Sequence, residues 1–301
     1  MADATHQRVT PLGLSQPRRR RPLPRVSLAW LGLVPFFLYM GAFLLLPTIW
    51  LALDAVRTDT GSFTSTYISR LFEPQYRDAF RSSIEVSLYS ALGGGIIGLF
   101  VAYAAVKEGA PRWIRSAFVT FSGVAANFAG VPLAFAFVAT LGPTGVVTLW
   151  LTHAGWDIYG RGFTLFGKTG LILAYIYFQL PLMILVIAPA LDGMRREWRE
   201  AATNLGASTF QFWRHVGLPI LLPALLSAVV LLFANAFSAY ATPYALSGTN
   251  LVPILIGNVM SGNLIEDPHF GDALALGMIV VIAVAIATYA LLQRRANRWL
   301  R

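Results

Sequence analysis

The chain has 301 residues, of which 56% are hydrophobic and only 12% are charged. Soluble domains are about 45–50% apolar and about 25% charged, so this composition excludes both an ordinary soluble globule and a disordered chain. The net charge of +9 does not by itself indicate a nucleic-acid partner, and the absence of cysteine excludes disulfides and thiolate metal sites.

The first 27 residues form a basic head that is rich in proline and contains four consecutive arginines, 18–21. A segment with so little apolar surface cannot bury a core, so we expect the head to be disordered. A basic run directly before an apolar stretch is typical of a cytoplasmic topology determinant rather than of a nucleic-acid site.

Six apolar stretches follow, each at least as long as the roughly 20 residues that cross a hydrocarbon core. They are residues 28–53, 82–106, 116–141, 169–191, 218–240 and 272–292. The sequence therefore predicts an all-α membrane protein with a six-span domain over 28–293 and a basic tail over 294–301. Two shorter apolar segments, 145–156 and 251–260, are predicted to form helices at the membrane interface.

The Lys and Arg residues lie mostly on one side of these spans. The head, the connections after the second and fourth spans, and the tail hold 17 of them, and the other connections hold six. Because cytoplasmic segments carry the excess of basic residues, both termini are predicted to be cytoplasmic.

Two nucleotide-binding motifs are matched by letter only. Residues 162–169, GFTLFGKT, fit the phosphate-loop pattern, but the loop residues are bulky, no clear strand precedes them and a predicted span follows. Residues 246–250, LSGTN, partly match the signature of ABC ATPases. Both segments are predicted to lie outside the cytoplasm, away from ATP, so we expect a chain that is not an enzyme and holds no cofactor.

The connection over residues 192–217 is predicted to form two short helices. Gly206 follows a run of good helix formers and can end the first helix in a left-handed conformation. Ser208 or Thr209 can cap the second helix, and Pro219 suits the first turn of the next span. Aromatic residues lie among the arginines of the segment, which favours an amphipathic pair that is either a partner surface or a plain connector.

This segment resembles the EAA motif, E-A-A-x-x-x-G-x9-I-x-L-P, of the membrane subunits of binding-protein-dependent ABC importers. The matching residues are Glu200, Ala201, Ala202, Gly206, Val216, Leu218 and Pro219. Valine at position 216 is the one departure from the motif. The resemblance covers most of the chain and implies a type I importer permease of a bacterial cytoplasmic (inner) membrane.

A narrower resemblance concerns the cargo. Residues 177–202 and 231–246 are similar to the spermidine/putrescine-type permeases, a group whose relatives also carry iron, thiamine, sulfate or phosphonate. The class of transporter is therefore better defined than the substrate, which could be a polyamine or one of these other solutes.

The resemblance also implies the partners. In this family the EAA segment is the coupling helix, which docks in a groove of a cytoplasmic ATPase. ATP and Mg bind to a dimer of that ATPase, an external binding protein delivers the solute, and a second permease subunit completes the path. That second subunit is expected to be a different chain rather than a copy.

Polar side chains inside the spans are candidates for lining the path, because lipid offers them no partner. They are Ser122, Asn127, Gln179, Asn235 and Ser238. Each could instead form a hydrogen bond between helices. The four glycines within 93–98 are expected to permit close helix packing, and the scattered histidines predict no metal site.

An ion-gradient-driven secondary transporter or channel is the alternative class. It would need ionisable residues deep within the spans, whereas Asp54, Glu85 and Asp272 lie at span ends. A membrane-embedded enzyme is a weaker alternative, because no acid–base or metal-ligand cluster is evident.

Overall fold

The computed structural model describes residues 29–58, 60–106, 112–246, 250–264 and 266–298. Contacts divide the chain into two units, Met1–Thr48 and Ile49–Arg301. The predicted head, the last three residues of the predicted tail and residues 247–249 of the LSGTN segment lie outside the described residues. Within the described residues no strand forms, apart from one isolated antiparallel bridge between Arg57 and Phe63.

Fourteen helices are described, two of them joined to the next by a π-helical turn. They are α1 (Ala29–Met40), the first π-turn (Gly41–Leu45), α2 (Leu46–Asp54), α3 (Thr66–Arg70), α4 (Pro74–Val106), α5 (Arg112–Ala125), α6 (Val131–Leu141), α7 (Val146–His153), α8 (Lys168–Asp192), α9 (Arg196–Asn204), α10 (Thr209–Phe212), the second π-turn (Trp213–Gly217), α11 (Leu218–Phe237), α12 (Ala241–Ala245), α13 (Val252–Met260) and α14 (Pro268–Arg298).

Six segments of the described chain are long and apolar enough to cross a membrane. They are Gly32–Asp54, Pro74–Ala105, Val131–His153, Lys168–Asp192, Thr209–Phe237 and Pro268–Arg294. The prediction of an all-α protein with six spans is confirmed. Helices α4 and α14 begin earlier than predicted, at Pro74 and Pro268, and α14 continues into the predicted tail as far as Arg298.

The prediction of a single span over 116–141 is wrong. Helix α5 ends at Ala125 and α6 begins at Val131, with Gly130 at a φ of 73°. Pro132 lies in the first turn of α6, where its missing N–H costs nothing. In a continuous helix its ring would clash with the carbonyl of Phe128, so the chain breaks just before it. The third apolar segment therefore combines α6 with α7, the helix predicted to be interfacial.

Helices α4, α8 and α11 form the centre of the second unit. A Cβ atom added to Gly94 would lie 2.8 Å from the Cβ of Gln179, and one added to Gly98 would lie 2.7 Å from the Cβ of Met183. These contacts confirm that the glycines permit close packing. They also show that α4 and α8 run parallel, as the second and fourth spans of an alternating topology must.

One end of this bundle is held by a group that we call the Arg70 cluster: Tyr67, Arg70, Tyr76, Glu266 and Asp267. Arg70 Nη2 donates to Glu266 Oε2 at 2.7 Å, and the Tyr76 hydroxyl donates to Glu266 Oε1 at 3.0 Å. The Tyr67 hydroxyl donates to Asp267 Oδ2. The cluster therefore joins α3 and the start of α4 to the residues that precede α14.

Hydrogen bonds in this cluster shift the pKa values of Arg70 and Asp267. The bond to Glu266 raises the pKa of Arg70 above its usual range. Burial by itself would raise the pKa of Asp267, but the bonds from the Tyr67 hydroxyl and the His269 N–H hold it below its usual range. Both groups are therefore stabilised in their charged forms.

Candidate functional site

The 192–217 segment contains the short helix that the sequence predicts. Helix α9 is followed by Gly206 at a φ of 79°. The N–H of Gly206 donates to the carbonyl of Thr203, and the N–H of Ala207 donates to the carbonyl of Ala202, both at 2.9 Å. A left-handed residue with these bonds satisfies the last carbonyls of a helix, so the predicted role of Gly206 in ending α9 is confirmed.

Ser208 caps the second helix of the segment. Its Oγ accepts from the N–H of Gln211 at 3.3 Å, and its own N–H donates to Gln211 Oε1 at 2.7 Å, which is a reciprocal capping box. The sequence predicts a separate helix over 210–216. The structure differs, because α10 continues through the second π-turn into α11.

The surface of this segment carries both exposed apolar side chains and charged side chains. Leu205 is 88% exposed and Phe210 is 71% exposed, and the two flank the turn at Gly206. Beside them Arg196 Nε donates to Glu200 Oε1 at 2.8 Å across one turn of α9. Large apolar side chains exposed among charges are typical of a surface that binds a protein partner.

The residues of the EAA match differ in their exposure. Glu200, Ala201, Gly206 and Leu218 are exposed, and Ala202, Val216 and Pro219 are half-buried. The first part of the match therefore lies on the free face of the segment. The second part lies where the chain enters α11.

Helix α11 leads from this segment to a polar cavity of about 300 Å³. The cavity lies where two helices are interrupted, after α5 and after α11. Its lining includes Gly130, Asn235, Ser238, Tyr240 and Thr242. The N–H of Gly130 donates to Thr242 Oγ1 at 3.0 Å, so the two interruptions are joined directly. Interrupted helices expose backbone polar groups, which suits a path for a polar solute.

Two of the five path candidates, Asn235 and Ser238, line this cavity, and the other three do not. Gln179 is fully buried between helices and its Nε2 donates to Ser90 Oγ at 2.8 Å. Ser122 is buried as well, and Asn127 is exposed with its Nδ2 donating to the carbonyl of Gly123. Sequence reasoning missed Thr242, whose role depends on a contact 112 residues away.

The lysine of the false phosphate loop has a different partner. No strand is described before Gly162, which has a φ of 89°. Lys168 is the first residue of α8, and its Nζ donates to Glu85 Oε2 of α4 at 2.9 Å. The segment is a turn followed by a helix that pairs with α4, which supports the rejection of the motif.

One group of side chains could hold a divalent cation. The ligand atoms of Asp54, His269 and Asp272 lie within 4.8 Å of one another. The sequence predicts no such group, because Asp54 is more than 200 positions from His269 and Asp272. Two carboxylates and one imidazole at this spacing are ligand types that zinc or manganese accepts.

Solved structures of membrane transporters contain chains with the same fold. A bacterial ABC transporter involved in the import of the acidic polysaccharide alginate has a chain with the same fold, at a TM-score of 0.70 and 20% identity, covering 89% of this chain and 95% of that one. A chain of the MetNI methionine ABC transporter is also similar, at a TM-score of 0.53 and 17% identity.

The sequence comparisons define the family. A family model for the inner membrane component of binding-protein-dependent transport systems matches residues 94–301. This chain belongs to that family and is a permease subunit of an ABC importer. A probable sulfate transport system permease of Nephroselmis olivacea is 26% identical over 72% of this chain and 74% of its own length. The spermidine/putrescine permease PotB of Escherichia coli is 22% identical over 89% of this chain and 96% of its own length.

Proposed function

We propose that this chain forms half of the translocation path of an importer and couples it to a separate ATPase through the 192–217 segment. Both termini and this segment lie in the cytoplasm of a bacterium, with the protein in its inner membrane. ATP and Mg bind to the ATPase dimer, and this chain holds neither. A second, different permease subunit and an external binding protein complete the assembly.

The observation that carries the proposal is the exposed surface around Gly206. Leu205 and Phe210 offer apolar contacts, and the Arg196–Glu200 pair offers charges at the same edge. A short helix pair with apolar anchors and a polar rim fits a groove on another protein. Ala201 is exposed and small, so a partner backbone can approach α9 closely.

The same chain segment leads to the path. Helix α11 has 20 residues, which corresponds to about 30 Å at the usual rise, and Asn235 and Ser238 at its far end line the cavity. Closure of the ATPase dimer would move the 192–217 segment of this chain and the corresponding segment of the second permease together. That movement would shift the membrane helices between two states.

Reconstitution tests the assembly. The chain is co-expressed with a candidate ATPase and a candidate second permease from the same genome, purified, and placed in proteoliposomes with the loaded binding protein. We expect the ATPase to co-purify and the cargo to accumulate only with ATP. Uptake driven by an ion gradient without ATP would contradict the proposal and favour a secondary transporter.

Topology is tested separately. A reporter fused after Arg301 should be active only in the cytoplasm, and one inserted at Gly160 only outside it. The opposite result at either position would contradict the proposed orientation of the 192–217 segment.

The relatives suggest sulfate or a polyamine as cargo, and Asn235 allows a test that distinguishes them. Asn235 lines the cavity and no carboxylate lines it with Asn235 in the described chain. Asn235→Asp should repel sulfate but attract a polyammonium ion such as spermidine. Asn127→Asp is the matched control, because Asn127 does not line the cavity. Equal uptake by wild type and Asn235→Asp for both labelled solutes would remove Asn235 from the path.

A further inference from the structure

The last turn of the 192–217 segment, directly before α11, winds irregularly. At the second π-turn the N–H of Leu218 bonds to the carbonyl of Trp213, five residues earlier rather than four. Such a turn contains one extra residue and weakens the regular bonding of the helix, and it occurs often at functional sites. The irregular turn lies directly between the proposed docking surface and the helix that reaches the cavity.

The indole of Trp213 fills the inner side of this turn. Gly217 is buried, and a Cβ atom added to it would lie 2.7 Å from Trp213 Cε3 and 3.1 Å from Cζ3. Both contacts are with the six-membered ring of a rigid side chain. Any side chain at position 217 would therefore have to displace the indole.

The same indole contacts the rest of the bundle. Its ring lies edge-on to Tyr103 near the end of α4, with centroids 5.0 Å apart and planes at 88°. It also packs against the buried cluster that includes Ile187, Leu191 and Leu221. Trp213 thus touches Gly217 on one side and α4 on the other, and packs against a buried cluster to which α8 and α11 contribute.

We infer that Trp213, which packs on Gly217 and against Tyr103, transmits movement of the exposed surface around Gly206 to α11. This inference rests on the proposed function, because it requires the segment to move with the ATPase. Trp213 and Gly217 are positioning residues: they touch neither cargo nor nucleotide. Rigid contact through a large aromatic ring transmits displacement, because packed interiors resist compression.

The test compares coupling rather than stability alone. Wild type, Gly217→Ala, Trp213→Leu and Trp213→Phe are assembled with the ATPase, the second permease and the loaded binding protein in proteoliposomes. Two quantities are measured: cargo taken up per ATP hydrolysed, and the stimulation of hydrolysis by the loaded binding protein. Gly123→Ala is the matched control, because Gly123 lies in α5, outside the 192–217 segment, and a Cβ there meets nothing within 4 Å.

We expect Gly217→Ala and Trp213→Leu to lower uptake per ATP by about tenfold. Displaced or missing packing changes the equilibrium between the two transport states by about that factor. The ATPase should still co-purify, and its basal rate should remain. Trp213→Phe should retain most of the coupling, because an aromatic ring still reaches Tyr103. The double variant Trp213→Leu/Gly217→Ala should be less impaired than the product of the single effects, because the methyl group then meets no indole.

Wild-type coupling in both Gly217→Ala and Trp213→Leu would overturn the inference while leaving the proposed function intact. Failure of the wild-type chain to bind the ATPase would instead contradict the proposed function. If Gly217→Ala fails to assemble, Trp213→Leu and Trp213→Phe decide: equal uptake per ATP in the two would overturn the inference, and a loss confined to leucine would support it.

Discussion

The 192–217 segment and the Arg70 cluster lie at opposite ends of α4 and α8 and use their charges in opposite ways. In the segment Arg196 and Glu200 form an exposed pair one helical turn apart, beside exposed Leu205 and Phe210. In the Arg70 cluster, Arg70 and Glu266 are 196 residues apart, mostly buried and joined to Tyr76. The first arrangement leaves a surface available to a partner, and the second holds helices together.

The difference separates two kinds of mutational effect. Changes on the exposed surface around Gly206 should alter function without altering stability. Changes in a half-buried network should lower stability, because a removed partner leaves a polar group unsatisfied. Variants in both regions, measured for transport and for melting temperature, therefore test whether the segment is a docking surface.

The largest effect is expected from Gly206→Val. Valine at a φ of 79° is strongly disfavoured, so the end of α9 would rearrange and move Ser208 and Phe210 away from their present positions. We expect transport to be abolished while the chain still inserts and melts normally. The measurements are uptake in vesicles, co-purification of the ATPase, and thermal unfolding.

Gly155→Val is the control for backbone strain. Gly155 has a φ of 85°, close to the 79° of Gly206, and an added Cβ would meet no atom within 4 Å at either position. The two variants therefore carry similar strain at different places. If Gly206→Val transported normally with the ATPase bound, the 192–217 segment would be a plain connector.

The next effect concerns the charge of Glu200. Glu200→Lys places a second cation beside Arg196 and reverses the charge offered to the ATPase groove. Losing one partner of a charged contact buried in an interface costs about 2–5 kcal/mol, so we expect a loss of transport of more than about tenfold. Glu200→Gln should be affected less, and both should melt like wild type. A melting shift as large as the loss of transport would place Glu200 in a structural role.

A smaller effect is expected in the Arg70 cluster, and it should appear in the melting temperature rather than in transport. Glu266→Gln removes the ion pair with Arg70 and weakens the bond from Tyr76, at a cost of about 1–3 kcal/mol. The melting temperature should fall by several degrees, about 2–4 °C for each kcal/mol, with the ATPase still bound. Glu73→Gln is the control, because Glu73 lies 3.7 Å from Arg70 and is more exposed. Equal melting of the two variants would contradict the structural role of Glu266.

The two regions also show what a sequence can and cannot predict here. The turn at Gly206 and the cap at Ser208 were predictable because each depends on residues within about four positions. The Arg70–Glu266 pair and the Gly130–Thr242 bond were not, because each joins residues more than 100 positions apart. The break before Pro132 carried a local signal, but the apolar residues on both sides concealed it.

The smallest effect is expected from Lys168→Ala, which tests a motif that matches by letter. A phosphate-loop lysine contacts nucleotide, so its loss would abolish ATP hydrolysis. In this chain Lys168 pairs with Glu85, which also accepts from Arg81 at 2.8 Å, so Glu85 keeps one cationic partner in the variant. Exposed ion pairs contribute little to stability. Hydrolysis by the assembled transporter, measured with and without the loaded binding protein, should therefore stay within about twofold of wild type. Loss of nucleotide binding in an intact assembly would place a nucleotide site on this chain and make the separate ATPase unnecessary to explain hydrolysis.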